Sequence, residues 1–478
     1  MSDAGPIAAT TIVDFLQGVR DQAPPEAIHG AKRILLNGLR ASLSGSVESL
    51  PARFAESEQQ RLAGAHDRTG LLWSDARLPT EEAVAFNAMT WTLLLLDDLD
   101  LVSGIHPGGP AASAALPQAV ARGASGHDLL AAIVAGIELQ LAVARAASPE
   151  MLQQRGFAPL SVIAPLGSVA AMVSLVQPDA EVARNAVGIA AMSGIGVWEM
   201  GGTSSALFLS GSATRMGVAA MRAAALGISA PERALDGDFG AFRAYSGKPL
   251  DVLTAQLSTL GTSWQTTTVA LQPYSGDTYS QAPLEAVLAI KKGLAAHQAD
   301  RAVKSIVVEV EERVAVGVAR KYARHPHVET ALLLNSDPQS RVAIAWLHDD
   351  YSYSPAFAGF VNDASVAALR ERVQFRASPR MTDMTVGAVD VEFEDGTHES
   401  AEIAGFRGSP RKPLPDDDLS ALFEATAAPL LAPDRIRRIL DMVWNIEDDG
   451  AVTALGDAVF AAPLRAHGPP NHKMRHAS

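Results

Sequence analysis

The spacing of apolar residues along the first 270 positions constrains the fold more than any other feature of the sequence. In the first predicted helix, apolar residues stand at i, i+3, i+4 and i+7: Ile12, Phe15, Leu16 and Val19. Similar patterns predict further helices, many rich in Ala, Leu, Met and Val, at residues 28–43, 81–96, 126–146, 180–192 and 213–226. Helices that are apolar on most sides pack against other helices. Residues 1–267 are therefore predicted to form a large helical domain.

The pattern changes near Gln272 from helical spacing to the alternation that is typical of strands. Residues 305–311 alternate, and a second alternating run ends at Asp395-Gly396, a dipeptide favoured in hairpin turns, with a return strand predicted at 397–403. Two helices are predicted around these strands, at residues 283–296 and 364–373. Residues 268–408 are therefore predicted to form a smaller α+β domain.

Helical signals return after a linker at 409–415 that is rich in Pro, Arg and Lys. Asp416 and Asp434 each precede an apolar helical pattern, as N-terminal residues of helices do. We expect residues 409–460 to pack back on the helical domain and residues 461–478 to be disordered. The predicted fold class is mainly α plus α+β, with an all-helical domain built from both chain ends and a smaller α+β lid.

Composition excludes several functions. The 478 residues contain no cysteine, so disulfides, thiolate nucleophiles, iron–sulfur clusters and cysteine-bound zinc are excluded. The formal charge of −14 argues against nucleic acid as a partner, because phosphate binding needs clustered cations. No basic segment opens the chain, and Glu138 and Pro165 interrupt the longest apolar stretches, so we expect a cytoplasmic protein without membrane spans.

Standard catalytic and cofactor motifs are missing from the sequence. It contains no G-x-S-x-G, P-loop, H-E-x-x-H or G-x-G-x-x-G, and Gly194-Ile195-Gly196 is interpreted as a loop between helices. His325-Pro326-His327 with Glu329 has weak metal-site character, because no third group of ligands accompanies it. We therefore expect no metal and no cofactor.

One segment has the character of an acid–base site. Asp97, Asp98 and Asp100 follow four consecutive leucines and precede His106 in the loop His106-Pro107-Gly108-Gly109. Carboxylates beside a histidine orient the imidazole and raise its pKa, which suits it for proton transfer. The alternative interpretation is a solvated helix end with an exposed loop histidine.

At this segment the sequence resembles the MmgE/PrpD family, and the resemblance covers nearly the whole chain. Asp97-Asp98 with His106-Pro107-Gly108 is similar to the family's Asp-rich turn and His-Pro loop. Other similar segments, in order, are residues 31–37, 121–138, 155–157, 239–245, 393–396 and 410–414, with Trp444. The family includes dehydratases, a decarboxylase and an epimerase. The resemblance implies a helical domain with an α+β lid, an active site between the two, a homodimer, a small-molecule substrate and His106 as general acid or base.

The chain departs from the family pattern at the other expected site positions. Leu95 replaces an Asp, Gln272 replaces a Lys, and Ala158 and Asp277 each replace a His. A Lys and a His of the family fall near Ala206 and Leu209, and a lid Tyr corresponds to Arg341. The family's dehydratases include one for methylcitrate, a tricarboxylate. Burying a tricarboxylate without cationic partners is costly. The pattern therefore predicts a less anionic substrate than methylcitrate, with secondary metabolism as its setting.

We assign roles to the remaining residues as hypotheses. Asp97 or Asp98 orients His106. One wall of the expected pocket contains His106 and Asp98, and the other contains Asp277, Tyr279 and Arg341. A hydroxyl of Tyr279 or Tyr274 donates to a developing oxyanion, while Gln272 and Arg341 position the substrate. Trp198 forms an apolar wall or, more simply, belongs to the core. Two other functions stay open: an intramolecular cyclase shaped by Ala158 and Leu209, and a non-catalytic binding or oligomer partner.

Overall fold

The computed structural model describes residues 7–294, 301–324, 327–353 and 356–463. Twelve helices occupy the stretch from Ile7 to Leu257: α1 Ile7–Gln22, α2 Pro25–Ser46, α3 Ser49–Arg61, α4 Thr80–Thr92, α5 Gly108–Arg122, α6 Gly126–Ala147, α7 Glu150–Gln153, α8 Pro159–Val176, α9 Ala180–Ala191, α10 Ser205–Ala225, α11 Ala241–Ser246 and α12 Leu250–Leu257. Two short antiparallel strand pairs accompany them: β1 Thr69–Gly70 with β2 Arg77–Leu78, and β3 Asp98–Leu99 with β4 Ala270–Leu271.

The long apolar helices α6 and α8 form the centre of the helical domain. Both are long and apolar enough to span a membrane, but 94% and 89% of their most apolar windows are buried inside the protein. They were the only such helices found in the described ranges. The side chain of Ser125 caps the start of α6 and that of Asp179 caps α9, which accounts for where these helices begin. The burial of α6 and α8 identifies them as core helices of a globular domain.

The C-terminal helices complete the same core. They are α18 Asp416–Ala427, α19 Pro433–Trp444 and α20 Ala451–Val459. Their apolar residues, including Phe423, Ile439 and Leu455, belong to one cluster with residues of α1 to α12. Lys32 of α2 ties the two ends together by donating to the carbonyl oxygen of Trp444 at 2.8 Å. The helical domain is thus built from both ends of the chain.

Between these parts lies the α+β lid. Its elements are α13 Gln281–Gly293, β5 Val303–Val310, α14 Glu312–Arg324, α15 Ala331–Ser336, α16 Pro338–His348, α17 Ala364–Arg370, β6 Val373–Ala377, β7 Gly387–Phe393 and β8 His398–Ile403. The sheet order is β6-β5-β7-β8, with β5 parallel to β6 and the other pairs antiparallel. Alternate residues of β7 are buried, as expected for a strand with one face on a core. The mainly α plus α+β fold class is confirmed.

Some predicted elements differ from the structure. The helix predicted at 81–96 ends at Thr92, and Leu95 takes a left-handed conformation with φ of 53°. The following carboxylates therefore lie in and around β3 and do not extend the end of a helix. The helix α5 was not predicted, because its glycines, alanines and prolines carry little apolar periodicity. His325, Pro326 and residues 464–478 of the predicted disordered tail lie outside the described residues.

Residues 272–275 form the crossing from the helical domain into the lid. Arg40 of α2 donates to the carbonyl oxygens of Gln272 and Pro273 at 3.2 and 3.0 Å, and Arg341 of α16 donates to that of Ser275 at 3.0 Å. Both arginines are buried. Two arginines, one from each domain, thus hold the main chain of the crossing.

Candidate active site

The pairing of β3 with β4 places Asp97 beside Gln272. Asp98 lies opposite Leu271 in this antiparallel pair, and the N–H of Gln272 donates to the carbonyl oxygen of Asp97 at 3.1 Å. Asp97 and Gln272 are therefore the next opposed pair. Directly opposed residues point to the same face, with Cβ atoms about 5 Å apart. The carboxylate and the amide are thus neighbours at the domain junction.

His106 lies against the same carboxylate. Its Nδ1 is 3.1 Å from Oδ1 of Asp97, and its side chain is 14% exposed whereas that of Asp97 is fully buried. The contact is an ion pair without the alignment of a hydrogen bond, so Nδ1 and both carboxylate oxygens lack a hydrogen-bond partner. Both side-chain polar atoms of Gln272 are likewise buried and unpaired. Five buried polar atoms without a hydrogen bond therefore gather in three neighbouring side chains, and two of the five face each other as the ion pair of His106 and Asp97.

Asp98 points the other way and braces the histidine loop. It accepts from the main-chain N–H of Gly108 at 2.6 Å and from Nε1 of the buried Trp91 at 3.3 Å. Gly108 opens α5, two residues after His106. A Cβ at Gly108 would lie 2.4 Å from Oδ1 of Asp98, so only glycine allows this approach. Of the two predicted carboxylates, Asp97 pairs with His106 and Asp98 anchors the loop that carries it.

The electrostatics favour a protonated histidine. Burial lowers the pKa of His106, but the charge and hydrogen-bonding capacity of Asp97, with a smaller contribution from Asp98, raise the pKa to about 9. Burial, followed by the charge of Asp97, raises the pKa of Asp98 to about 6. His106 is therefore an imidazolium at neutral pH, an acid that can give a proton.

Arg341 contacts the crossing, and Tyr274 is one of its residues. Arg341 donates to Ser275 and to the carbonyl oxygen of Asp350, and its Nη1 is buried and unpaired. Burial lowers the pKa of its guanidinium to about 10. Tyr274 is 6% exposed, its ring centroid is 6.0 Å from that of Tyr351, and burial raises the pKa of its hydroxyl to about 12. Arg341 supports the crossing, and Tyr274 packs in the lid core.

Asp277 and Tyr279 lie in the lid. Asp277 accepts from the N–H of Tyr279 at 3.0 Å and caps a short 3-10 turn. The Tyr279 ring packs against Gly317 of α14, and the charges around its hydroxyl come from Asp277 and the lid residues Arg313, Glu311 and Arg320. Burial raises the pKa of this hydroxyl to about 12. The predicted oxyanion donor therefore faces lid groups, and the set does not include His106 or Asp97.

The predicted apolar residues divide between interior and surface. Ala158 is buried at the start of α8, where its N–H donates to the carbonyl oxygen of Gly196 at 3.1 Å, and Leu209 is half-buried on α10. Trp198 is 43% exposed on a 3-10 turn, so its interpretation as a core residue is wrong. A small apolar cavity beside Met151 and Tyr245 contains none of the predicted site residues. In the described ranges, no three His, Asp or Glu side chains gather as metal ligands.

Sequence reasoning missed the polar groups of α2 that support the site. Asn37 donates to the carbonyl oxygen of Leu96 at 3.0 Å and accepts from Arg40 at 3.0 Å. Both side chains are buried. The sequence did contain a sign of this role, because Asn37 and Arg40, three positions apart, interrupt the apolar face of a helix. A polar pair on such a face indicates a buried partner elsewhere in the fold.

A two-domain protein with a buried His–Asp pair at its domain junction is the class that fold and site define. The family model described as the MmgE/PrpD N-terminal domain matches residues 10–252, and that of the MmgE/PrpD C-terminal domain matches residues 274–448. The chain belongs to the MmgE/PrpD family. It is 26% identical over 444 residues to human cis-aconitate decarboxylase, covering 88% of each chain. It is also 26% identical over 441 residues to the mouse cis-aconitate decarboxylase, covering 88% of this chain and 86% of the relative. These relatives support an enzyme of lyase type.

Proposed function

We propose that the protein is a metal-independent lyase or isomerase that moves a proton at a carbon next to a carbonyl group. The observation that carries the proposal is the buried pair of His106 and Asp97, with Nδ1 and Oδ1 3.1 Å apart. Buried pairs of this kind, with a perturbed pKa in a protected place, are typical of acid–base sites. A protonated imidazole is a poor metal ligand, which favours direct proton transfer.

His106 acts as the proton donor in this proposal. With Nδ1 paired to Asp97, Nε2 gives its proton to the carbon or to the leaving hydroxyl of the substrate. In a dehydration, the hydroxyl takes the proton of Nε2 and leaves as water as the C–O bond breaks. The neutral imidazole then takes the proton of the neighbouring C–H bond, whose electrons form the C=C bond. In an isomerisation, Nε2 adds its proton to one carbon of a C=C bond, and the neutral imidazole takes a proton from another carbon, whose C–H electrons form the new C=C bond. The negative charge of Asp97 holds the imidazole ready to be protonated again.

We propose a substrate that is less anionic than a tricarboxylate. Gln272 places an uncharged amide next to Asp97, and Arg40 and Arg341 each make two hydrogen bonds to main-chain carbonyls. Burying several carboxylates here without matching cations would cost several kcal/mol for each charge. This substitution pattern also motivates the proposal of a role in secondary metabolism, in the cytoplasm.

Deuterium exchange tests the proposed proton transfer. The protein is incubated in D2O with cis-aconitate or with cis-aconitamide, its uncharged triamide, and carbon-bound deuterium is measured by mass spectrometry against pH. The folded pKa of His106 is raised, so the donor form is present below about pH 9 and is lost as pH rises through that value. We expect exchange that declines through about pH 9. Absence of exchange into both compounds, or a rate that is unchanged across this range, would contradict the proposal.

We also propose that the chain forms a homodimer through an exposed apolar patch. The residues proposed to form the patch are Ile195, Val197, Trp198 and Phe208, which are 57%, 56%, 43% and 56% exposed, respectively. Clusters of exposed apolar side chains mark interaction surfaces, and a twofold dimer covers the same patch on both copies.

Sedimentation velocity of a patch variant tests the dimer. Trp198→Glu is expected to convert a dimer to a monomer, because each copy would bury an uncompensated carboxylate. Leu347→Glu is the matched control, since Leu347 is 39% exposed on the lid helix α16 and lies outside the patch. A wild-type protein that sediments as a monomer would refute the proposal.

A further inference from the structure

The amide of Gln272 is the unexplained group of the site. The residue is fully buried, and neither Nε2 nor Oε1 has a hydrogen-bond partner. Its main chain, by contrast, is fixed on both sides. The N–H of Gln272 donates to the carbonyl oxygen of Asp97, and the carbonyl oxygen of Gln272 accepts from Arg40. Nearly all buried polar atoms in folded proteins are hydrogen-bonded. An amide whose main chain is held and whose side chain has no hydrogen-bond partner among the described residues therefore has both of its polar atoms available to a bound molecule.

The chemistry of the amide restricts what it can bind. Nε2 needs an acceptor and Oε1 needs a donor, and these two requirements stand side by side on one planar group. Because both atoms are unpaired, either orientation of the amide presents the same donor–acceptor edge. A carboxylate supplies only acceptors, so it would leave Oε1 unpaired. It would also approach the negative charge of Asp97, which lies opposite on the same face.

A second amide satisfies both requirements. A primary carboxamide or a lactam carries an N–H and a C=O on adjacent atoms, and two such edges form a pair of parallel hydrogen bonds. The group is uncharged, so no cation is needed to bury it. His106 does not supply a spare cation, because its charge is matched by Asp97 at 3.1 Å.

We propose that Gln272 binds an amide-type group of the substrate, a primary carboxamide or a lactam, through paired hydrogen bonds. The inference rests on the proposed function only in taking the Asp97–His106 pair as the reacting centre. According to this inference, Gln272 is the residue that makes the site bind an uncharged amide in preference to a carboxylate. The bound amide lies beside Asp97, on the face that the two opposed residues share.

Isothermal titration calorimetry with cis-aconitamide and cis-aconitate tests this choice. We expect the wild-type protein to bind the triamide at least about tenfold more tightly, because an unpaired buried polar atom commonly costs that much affinity. Gln272→Glu, which has the same shape but only acceptors when ionised, is expected to remove the preference. Equal affinities, tighter binding of cis-aconitate or binding of neither compound by the wild-type protein would overturn the proposal.

A second variant tests whether a loss of the preference for the triamide is caused by misfolding. Gln272→Met fills a similar volume without polar atoms, so it is expected to raise the melting temperature while removing the preference for the triamide. A merely structural glutamine would give a lower melting temperature in this variant, and that result would overturn the proposal.

The His106→Ala variant separates this inference from the proposed function. It is expected to keep the preference for the triamide even though it no longer transfers a proton. Loss of exchange with retained preference supports the binding role independently. A wild-type protein that exchanges deuterium but binds both compounds equally would overturn the binding role and leave the proton transfer in place.

Discussion

Replacement of His106 by alanine is expected to lower the rate of deuterium exchange by about 10²–10⁴-fold, the usual contribution of a positioned acid or base. The reason is geometric as well as chemical. Of the three neighbouring side chains of Asp97, His106 and Gln272, that of His106 reaches the surface, at 14% exposure. Its imidazolium is stabilised by Asp97, with Nδ1 and Oδ1 3.1 Å apart. Without the ring, the buried carboxylate has neither a cation nor a proton to pass on. The measurement is the initial rate of deuterium incorporation at pH 7.

His398→Ala is the matched control for this variant. His398 also forms a His–Asp pair, with Nδ1 2.9 Å from Asp390, but its side chain is 53% exposed on the lid sheet. This variant is expected to keep the wild-type rate, because an exposed pair contributes little. Circular dichroism of the His106→Ala protein must match the wild type, because the variant leaves Asp97 buried without its cation. A folded His106→Ala protein with full activity would refute the role of the histidine.

Replacement of Gly38 by alanine is expected to lower the free energy of unfolding by about 1–3 kcal/mol, the usual cost of overpacking a core. Gly38 lies inside α2, and a Cβ there would stand 1.6 Å from Cζ2 of the fully buried Trp91. Alanine normally stabilises a helix by about 0.5–1 kcal/mol over glycine. The added Cβ would overlap a large ring that has no room to move. The cost of this overlap is therefore larger than the gain in helix stability. Urea denaturation measures the difference.

The same exchange at Gly18 provides the control. Gly18 lies inside α1, and a Cβ there would meet only the far end of the flexible Gln22 side chain. Gly18→Ala is therefore expected to leave stability unchanged or to raise it by up to about 1 kcal/mol. Gly38→Ala should also slow deuterium exchange, because Trp91 donates to Asp98, which holds the loop of His106. Equal stability of the two variants would show that Trp91 moves aside freely.

Much of the architecture could be predicted, because periodicity reports burial directly. The alternation in residues 389–393 and the turn at Asp395-Gly396 predicted a hairpin that the structure contains as β7 and β8. Amphipathic spacing likewise predicted α1 and α2. The pair of His106 with a neighbouring carboxylate was also predicted. Asp97 and His106 are only nine residues apart, so a single turn of the chain is enough to bring their side chains into contact.

Other features depend on contacts that no local pattern encodes. The pairing of β3 with β4 joins residues more than 170 positions apart through two residues each, which is too short for a strand signal. That pairing alone decides that Asp97 faces Gln272 while Asp98 faces Trp91. The exposure of Trp198 likewise depends on how its turn lies against Gly156, to whose carbonyl oxygen its N–H donates. Residue type by itself favoured a core position for a tryptophan.

The way the crossing at 272–275 is held has a consequence for how such an enzyme can diverge. Arg40 and Arg341 bind carbonyl oxygens of the main chain, which every amino acid carries. The side chains of the crossing can therefore be exchanged without loosening the connection between the two domains. Under the proposed binding role of Gln272, a new residue at position 272 alters which group is bound beside Asp97, while the distance from that position to His106 is preserved. Substrate range and domain geometry can thus change separately during evolution, at a segment of four residues.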